Sequence, residues 1–231
     1  FSLVSFGLGI KNYTNTLADK AGRDKLFIQA KGIGAPGTDE NFRITKEEIN
    51  FASKVKGVNE ITGVYMKAGE IKLKNEKKFN FVMGIDPAKR EFIEETFTVK
   101  IFKGRPLKKN DFNKAVLGYN YQFENKIFKK AVNLGDNIEI NGQPYEAVGF
   151  YKEVGNPSDD ANVYLTDEAM ESLYKDIKDK FGFVIVRAEK GFEPSVDHSE
   201  RLFNALDGKA LIPLILRLHE KYRKVMRMRY V

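Results

Sequence analysis

The sequence predicts an α+β protein, and three observations carry that prediction. Segments with apolar residues at helical spacing are interspersed with short meanders whose apolar residues recur every second position, without the strict alternation of a parallel-sheet protein. The 231 residues, 42% hydrophobic and 31% charged, sit inside the globular range and are enough to bury a core without disulfide or metal staples. The absence of cysteine excludes a disulfide framework, a thiolate zinc site, an iron-sulfur cluster and a cysteine nucleophile. With only His198 and His219 there is no histidine cluster for zinc.

Taken in order, Leu8, Tyr13, Leu17 and Ala21 fall at helical intervals before Gly22, which predicts a helix over 8–22. LFIQA (26–30) reads as a strand, and KGIGAPGTDENFR (31–43) as a loop by its glycines, proline and polar residues. Thr45 opens a Thr-x-x-Glu capping box, with Ile49, Phe51, Ala52 and Val55 as the buried stripe and Gly57 as the stop. The period then drops to two, predicting strands near 60–67, 69–74 and 78–85. Asp86-Pro87 opens a short helical piece, and 98–104 is a further strand. Residues 114–128 read as a strand turning at Gly118 into a helix, and 137–151 as a hairpin with Asn141-Gly142 at its turn. NVYLT is a strand, Thr166 caps a helix through TDEAMESLYKDI, FGFVIVRA is an apolar strand, and SERLFNAL a helix.

The most tempting chemistry is GIGAPG, with Gly32, Gly34 and Gly37 in the spacing of a dinucleotide-binding turn. A helix should start there at once so that its N-terminus faces the phosphates, yet Pro36 and the polar TDENFR delay it to about Thr45. Thr38 rather than Lys follows Gly37, so a Walker loop fails as well, and a plain glycine-rich loop is favoured. No serine lies in GxSxG. Asp159 with Asp160, and Asp176 with Asp179, could be drawn as carboxylate pairs. The first pair sits in loop composition and the second on the wet face of a helix, so solvated charges are the preferred reading. Asn12-Tyr13-Thr14 is a weak glycosylation sequon.

The net charge of +7 is unevenly placed. Residues 209–231 hold Lys209, Arg217, Lys221, Arg223, Lys224, Arg227 and Arg229 against Glu220, a local +6 that leaves 1–208 at +1. A near-neutral body with a basic tail is a poor match to a nucleic-acid binder, whose charge should line a folded face. In the tail, Leu211, Leu214, Leu218, Tyr222, Val225 and Met226 fall on one side with basic residues interleaved. Such a stretch suits an anionic membrane surface or a packed helix equally, and Pro213 fits a first helical turn. No run reaches the ~18 consecutive apolar residues of a spanning helix. FSLVSFGLGI, ten uncharged residues, is expected to be either the last turns of a span or an ordinary apolar helix start, and no basic n-region marks a signal peptide.

Six short boxes carry a family resemblance. They are Gly57-Val58, Gly84-Ile85-Asp86-Pro87, Gly104-Arg105-Pro106-Leu107, Ala115-Val116-Leu117-Gly118, Leu134-Gly135-Asp136 and Tyr145-Glu146-Ala147-Val148-Gly149. In this order and spacing, across about 1–205, the chain resembles the extracytoplasmic core domain of ABC transporter permeases of the MacB/FtsX type. The resemblance implies a porter-like α/β part at 26–98 and 166–208, interrupted by a smaller mostly β part at 99–165. Residues 1–25 then become a stalk helix continuing from a transmembrane span. The boxes gather glycines at strand ends and no titratable partners, so the resemblance implies no enzyme activity, no catalytic, metal or cofactor-binding residue, and no cofactor.

It further implies a cell-membrane protein with this domain on the extracellular or periplasmic side, and as partners a cytoplasmic ABC ATPase subunit, a permease homodimer or paired permease, and an extracytoplasmic adaptor or lipoprotein. No nucleic acid is expected. The basic stretch 209–231 departs from the family, whose chain would return to a second span after Leu206, and basic residues beside a span favour the cytoplasmic side. It is left without a role. Two other classes stand as alternatives: a nucleotide-binding enzyme through GIGAPG, and a membrane-surface or nucleic-acid module through the tail.

Overall fold

A computed structural model describes residues 24–30, 44–54, 58–189 and 226–230. The expected helices at 8–22 and near 199–206, the glycine-rich loop 31–43, Asn12, both histidines and most of the tail lie outside the described residues.

The described chain is α+β, as expected. Its strands are β1 (Lys25–Ala30), β2 (Ile44–Thr45), β3 (Val58–Leu73), β4 (Glu76–Ile85), β5 (Ile101–Gly104), β6 (Lys114–Leu117), β7 (Asn137–Ile140), β8 (Gln143–Tyr151), β9 (Val163–Thr166), β10 (Lys180–Phe181), β11 (Phe183–Ala188) and β12 (Met226–Tyr230). Three short helices, α1 (Lys46–Ala52), α2 (Arg90–Thr96) and α3 (Asp167–Leu173), lie between them. Ten strands form one sheet along the path β12-β1-β11-β3-β4-β9-β6-β8-β5, with β7 bridging β3 and β8, while β2 and β10 pair separately. The β4–β9 and β6–β8 pairs are parallel and the others antiparallel.

Local signals set the helix starts. At α1 the Thr45 hydroxyl accepts from the Glu48 amide (3.3 Å) and the Glu48 carboxylate accepts from the Thr45 amide (2.8 Å), the reciprocal capping box read from TKEE. At α3 the Thr166 hydroxyl accepts from the Ala169 amide (3.1 Å). Asn141 and Gly142 both have positive φ (48° and 80°), the backbone a two-residue hairpin of this hand requires.

Alternation along the central strands separates two apolar layers. Val82, Ala115, Leu117, Val163 and Leu165 face a cluster closed by Ala169 and Met170 of α3 and by Tyr121, Phe128 and Val132. Their neighbours Met83, Ile85, Val116 and Tyr164 face a second cluster closed by Phe92 and Ile93 of α2. Both layers draw on residues inside and outside 99–165. On β8 the alternation changes phase: Tyr145, Ala147 and Phe150 share the first layer while Val148 and Tyr151 share the second. The cause is a bulge, since Ala115 pairs with Ala147 but Val116 with Gly149.

Four expectations change. The strands expected at 60–67 and 69–74 are one continuous strand, β3, which stays in register with β4 from Tyr65↔Gly84 to Leu73↔Glu76. Gly69 is therefore no break; a Cβ there would stand 2.7 Å from the Tyr174 hydroxyl and 2.9 Å from Val82. The helix expected after Gly118 is a single 3-10 turn, Tyr119–Gln122, because the backbone leaves helical geometry at Phe123, which is extended, and at Asn125, whose φ is 60°, while Tyr121, Phe128 and Val132 still pack into the first layer. The helix from Thr166 ends at Leu173, short of the expected Ile177, so Asp176 and Asp179 follow it rather than line its face. Finally, Met226–Tyr230, part of the tail left without a role, adds a strand to the outer edge of β1 (Phe27↔Arg229, Gln29↔Arg227).

The bulge dictates a test. A Cβ on Gly149 would lie 2.3 Å from the Arg105 carbonyl oxygen, a contact with backbone that cannot yield cheaply. Gly149→Ala should destabilise the fold by roughly 2–4 kcal/mol in a denaturant titration, whereas Ala68→Ser, on an exposed β3 position, should stay within about 0.5 kcal/mol.

Candidate functional site

Four of the family boxes, at 104–107, 115–118, 134–136 and 145–149, meet at β8. Gly104 and Gly149 are register partners, the Arg105 amide donates to the Val148 carbonyl (2.9 Å), and a Cβ on Gly104, whose φ is +80°, would stand 2.3 Å from that same oxygen. The Gly135 amide donates to Ala147 (2.9 Å) and the Ala147 amide to Asp136 (2.8 Å), so the Leu-Gly-Asp box closes on the same strand. Arg105 reaches from its box to grip Asp111 through two hydrogen bonds (2.6 and 3.1 Å). Burial pushes the Asp111 carboxyl up, but Arg105 and the Lys108 amide outweigh it and hold it below the usual range. The Asp86 carboxylate of the second box accepts from the Ala88 amide (2.8 Å) and starts the 3-10 turn Pro87–Lys89. These residues join strands and turns, and their polar groups are spent on one another.

The aspartates weighed as pairs do not form sites. Asp160 is buried, a correction to its expected solvation: its carboxylate accepts from the Val154 (2.8 Å) and Gly155 (3.1 Å) amides and so ties down the loop before β9. Asp176 reaches Lys67 (3.3 Å) and Asp179 reaches Lys46 (3.5 Å). Among the described residues no three His, Cys, Asp or Glu converge as a metal site would require.

The densest charged constellation is one that sequence reading missed. It lies where residues 1–23 join the body, at Asp24, and where the chain departs after β11. Lys25, Arg187 and Glu60 are cross-strand partners in one row over β1, β11 and β3. The Lys25 ammonium, with its side chain 0% exposed, meets Asp24 (2.9 Å) and Glu95 of α2 (2.7 Å). Arg187 contacts Glu60 (2.8 Å), Asp24 (3.5 Å) and Glu95, and its guanidinium lies 4.5 Å from the centre of the Phe92 ring. Lys89 adds a second cation on Glu60 (3.0 Å). The Ala188 amide donates to the Asp24 carbonyl (2.7 Å), closing the row in the backbone. Three cations thus face three carboxylates contributed by β1, β3, β11 and the helical piece 87–96. The available signal was a lone arginine inside the apolar strand FVIVRA and a lysine opening LFIQA.

From this node β3 runs without interruption to the β3–β4 turn at Lys74-Asn75, about 50 Å at ~3.3 Å per residue. Midway, the Tyr65 hydroxyl donates to Glu171 of α3 (2.5 Å) and accepts from the Asp179 amide (3.1 Å). Burial first, and Glu171 second, push the Tyr65 hydroxyl well above the ordinary tyrosine range. At its far end β3 pairs with β7 (Ile71↔Ile140), and Asn141 is held by the Glu70 backbone at both ends (2.9 Å each).

Two tests follow from these charges. Removing the Lys25 side chain leaves Asp24 and Glu95 to Arg187 alone and empties a fully covered space, so Lys25→Ala should cost about 2–4 kcal/mol, against less than about 0.5 for Glu91→Ala, a carboxylate 90% exposed. Asp167, pushed up to about 6 by burial and then by Asp86, Glu168 and Glu171, binds more protons folded than unfolded between its ordinary value of 3.8 and 6. The folded state should therefore gain stability as pH falls through 6 toward 4, and Asp167→Asn should remove that part of the profile. Denaturation midpoints of both chains across pH 4–7 read the difference.

Comparison with known proteins agrees with this architecture. The family described as the MacB-like periplasmic core domain matches residues 1–195. An ABC transporter permease of Methanocaldococcus jannaschii is 30% identical over 191 residues, 82% of this chain and 46% of that protein, so the chain spans about half the length of this relative. The periplasmic region of MacB from Actinobacillus actinomycetemcomitans superposes with a TM-score of 0.63 at 16% identity, covering 90% of this chain and 88% of that one. The extracellular domain of the ABC-type transporter YknZ from Gram-positive bacteria does so with a TM-score of 0.60 at 18% identity, covering 89% and 99%. Among the described residues no helix is long and apolar enough to cross a membrane. A fold shared with both domains, and a family match that takes in all six boxes, make this chain a member of the MacB-like periplasmic core domain family, the extracytoplasmic domain of an ABC transporter permease.

Proposed function

We propose that the domain works as a mechanical coupler, passing ATP-driven movement of a permease from its membrane side to its distal end. The observation that supports this reading is the ionic node. The segments before β1 and after β11 are tied to each other and to β3 by buried and half-buried ion pairs, and β3 then extends as a single strand to the far tip. A pull applied at Asp24 or Ala188 is shared across three hydrogen-bonded strands rather than absorbed by a soft joint, because close-packed interiors transmit strain.

On this reading the domain is not itself an enzyme and uses no cofactor. Its energy comes from a cytoplasmic ABC ATPase, the permease works as a homodimer or with a paired permease, and an extracytoplasmic adaptor or lipoprotein is a further partner. The part at 99–165 is inserted between the two porter-like stretches 26–98 and 166–208, and the stalk assigned to 1–25 gives way to β1 at Lys25. The four boxes that meet at β8 through hydrogen bonds and close backbone contacts support the coupler reading.

The test weakens the node without emptying it. In the full permease with its ATPase, Glu95→Gln and Lys89→Gln should each leave ATP hydrolysis near the unmodified rate while transport falls roughly tenfold, the factor that about 1.4 kcal/mol of lost coupling represents. Transport unchanged in both, with the node pairs lost, would refute the coupler.

A further inference from the structure

The described residues 24–30, 44–54 and 58–189 carry 24 Lys and Arg against 24 Asp and Glu, so the body as a whole is neutral. Its charge is nevertheless polarised toward the tip of the β3–β4 hairpin. Lys74, Lys77 and Lys78 stand there with Glu76, and the loop 124–130 adds Lys126, Lys129 and Lys130 with Glu124. The two segments touch: the Glu76 carboxylate accepts from the Lys129 backbone amide (3.1 Å), and just below it Asn80 donates to the Tyr121 hydroxyl (2.9 Å). Six ammonium groups against two carboxylates give this end a local +4. All six lysines are exposed, and among the described residues only Lys77 has an ion-pair partner, Glu70 at 3.0 Å.

Phe79, whose side chain alternates to the face of β4 opposite Lys78 and Asn80, is 74% exposed, more than any other large apolar residue described. Lysines on a sheet edge commonly guard against strand-to-strand aggregation, and β9 covers β4 only from Val82 onward. Guarding explains Lys77 and Lys78. It does not explain an exposed phenylalanine on the same unpaired stretch, which works against a guard, nor three further lysines brought in from 126–130.

We propose that the outer edge of β4 at this tip is a docking surface for an acidic segment of a partner protein, with Phe79 as its apolar contact on one face of the hairpin and the lysines of 126–130 on the other. Unpaired like charges on two touching segments repel one another, so an acidic ligand gains both attraction and relief of that repulsion. Aromatic anchors surrounded by charged groups suit the centre and rim of a protein contact. A lipid headgroup is disfavoured by position, since the tip lies about 50 Å along β3 from the node where the chain enters and leaves. That last point rests on the coupler reading; the charge and aromatic placement do not.

The experiment uses the 231-residue chain and a fluorescein-labelled glutamate-leucine peptide as probe, with the glutamine-leucine counterpart and phosphatidylglycerol vesicles as competitors. The acidic peptide should bind with an affinity that falls as salt rises, and the glutamine peptide should not bind. The triple variant Lys74→Glu, Lys78→Glu, Lys129→Glu should weaken binding at least ~10-fold, and Phe79→Ser several-fold, while Lys108→Glu with Lys109→Glu has no effect. Thermal melting confirms that each variant is folded. Failure of the acidic peptide to bind overturns the proposal, as does binding unchanged in the triple variant, which would place the peptide on the basic 209–231 stretch. Equal loss in the Lys108/Lys109 control, or tighter competition by the vesicles, overturns it too. The assay reads binding alone, so a negative result here leaves the transport test of the node standing.

Discussion

The continuity of β3 is the constraint on which the rest of the structure depends. Its first half pairs with β11, its second with β4, and its end with β7, so one backbone ladder joins the part that receives the chain to the part that carries the tip. A kink at Gly69 would separate these regions into two lobes hinged at a glycine. The site is instead closed from both sides, by the Tyr174 hydroxyl and by Asn141, which accepts from the Glu70 amide. Strand hydrogen bonds anchored on a buried core open only at large free energy, and β3 is held along its length by β11 on one edge and then by β4 on the other.

In the sheet that contains β3 the described family boxes supply close backbone contacts. Gly104 and Gly149 let two backbones pass at a distance that excludes a side chain, and the bulge this produces turns Val148 and Tyr151 toward one layer while Tyr145, Ala147 and Phe150 fill the other. A domain that must hold its form while being pulled gains more from such close packing than from an open cleft, where enzymes concentrate strain and unpaired polar groups.

Charge is organised along the same axis. At one end cations and anions cancel within the node, and the fully covered Lys25 is tolerable only because Asp24 and Glu95 are both within hydrogen-bond range. At the other end six lysines gather at the hairpin tip, of which only Lys77 has an ion-pair partner among the described residues. A neutral total conceals these two arrangements, and it is their placement on opposite ends of β3 that connects the coupler to the docking surface.

Much of the local structure was readable in the sequence because it is decided within a few residues. The Thr45–Glu48 box, the Thr166 cap and the Asn141-Gly142 turn each depend on a side chain or φ preference acting on its own neighbours, and the period-two alternation from Gly57 onward reports which positions meet a core. The boxes, by order and spacing, also pointed to the family. What the sequence could not decide were contacts between residues far apart in the chain. Asp160 looked like a solvated loop charge until the 152–162 excursion folded its own amides around it. Residues 119–128 looked helical, but the backbone turns extended at Phe123 and takes a positive φ at Asn125, and Tyr121 and Phe128 reach the core from an irregular segment. The node brings together positions 24, 25, 60, 89, 95 and 187 through the register of three strands, and Met226–Tyr230 finds β1 from beyond the family match. Register is a property of paired backbones, so ion pairs that depend on it exist only once the sheet has formed.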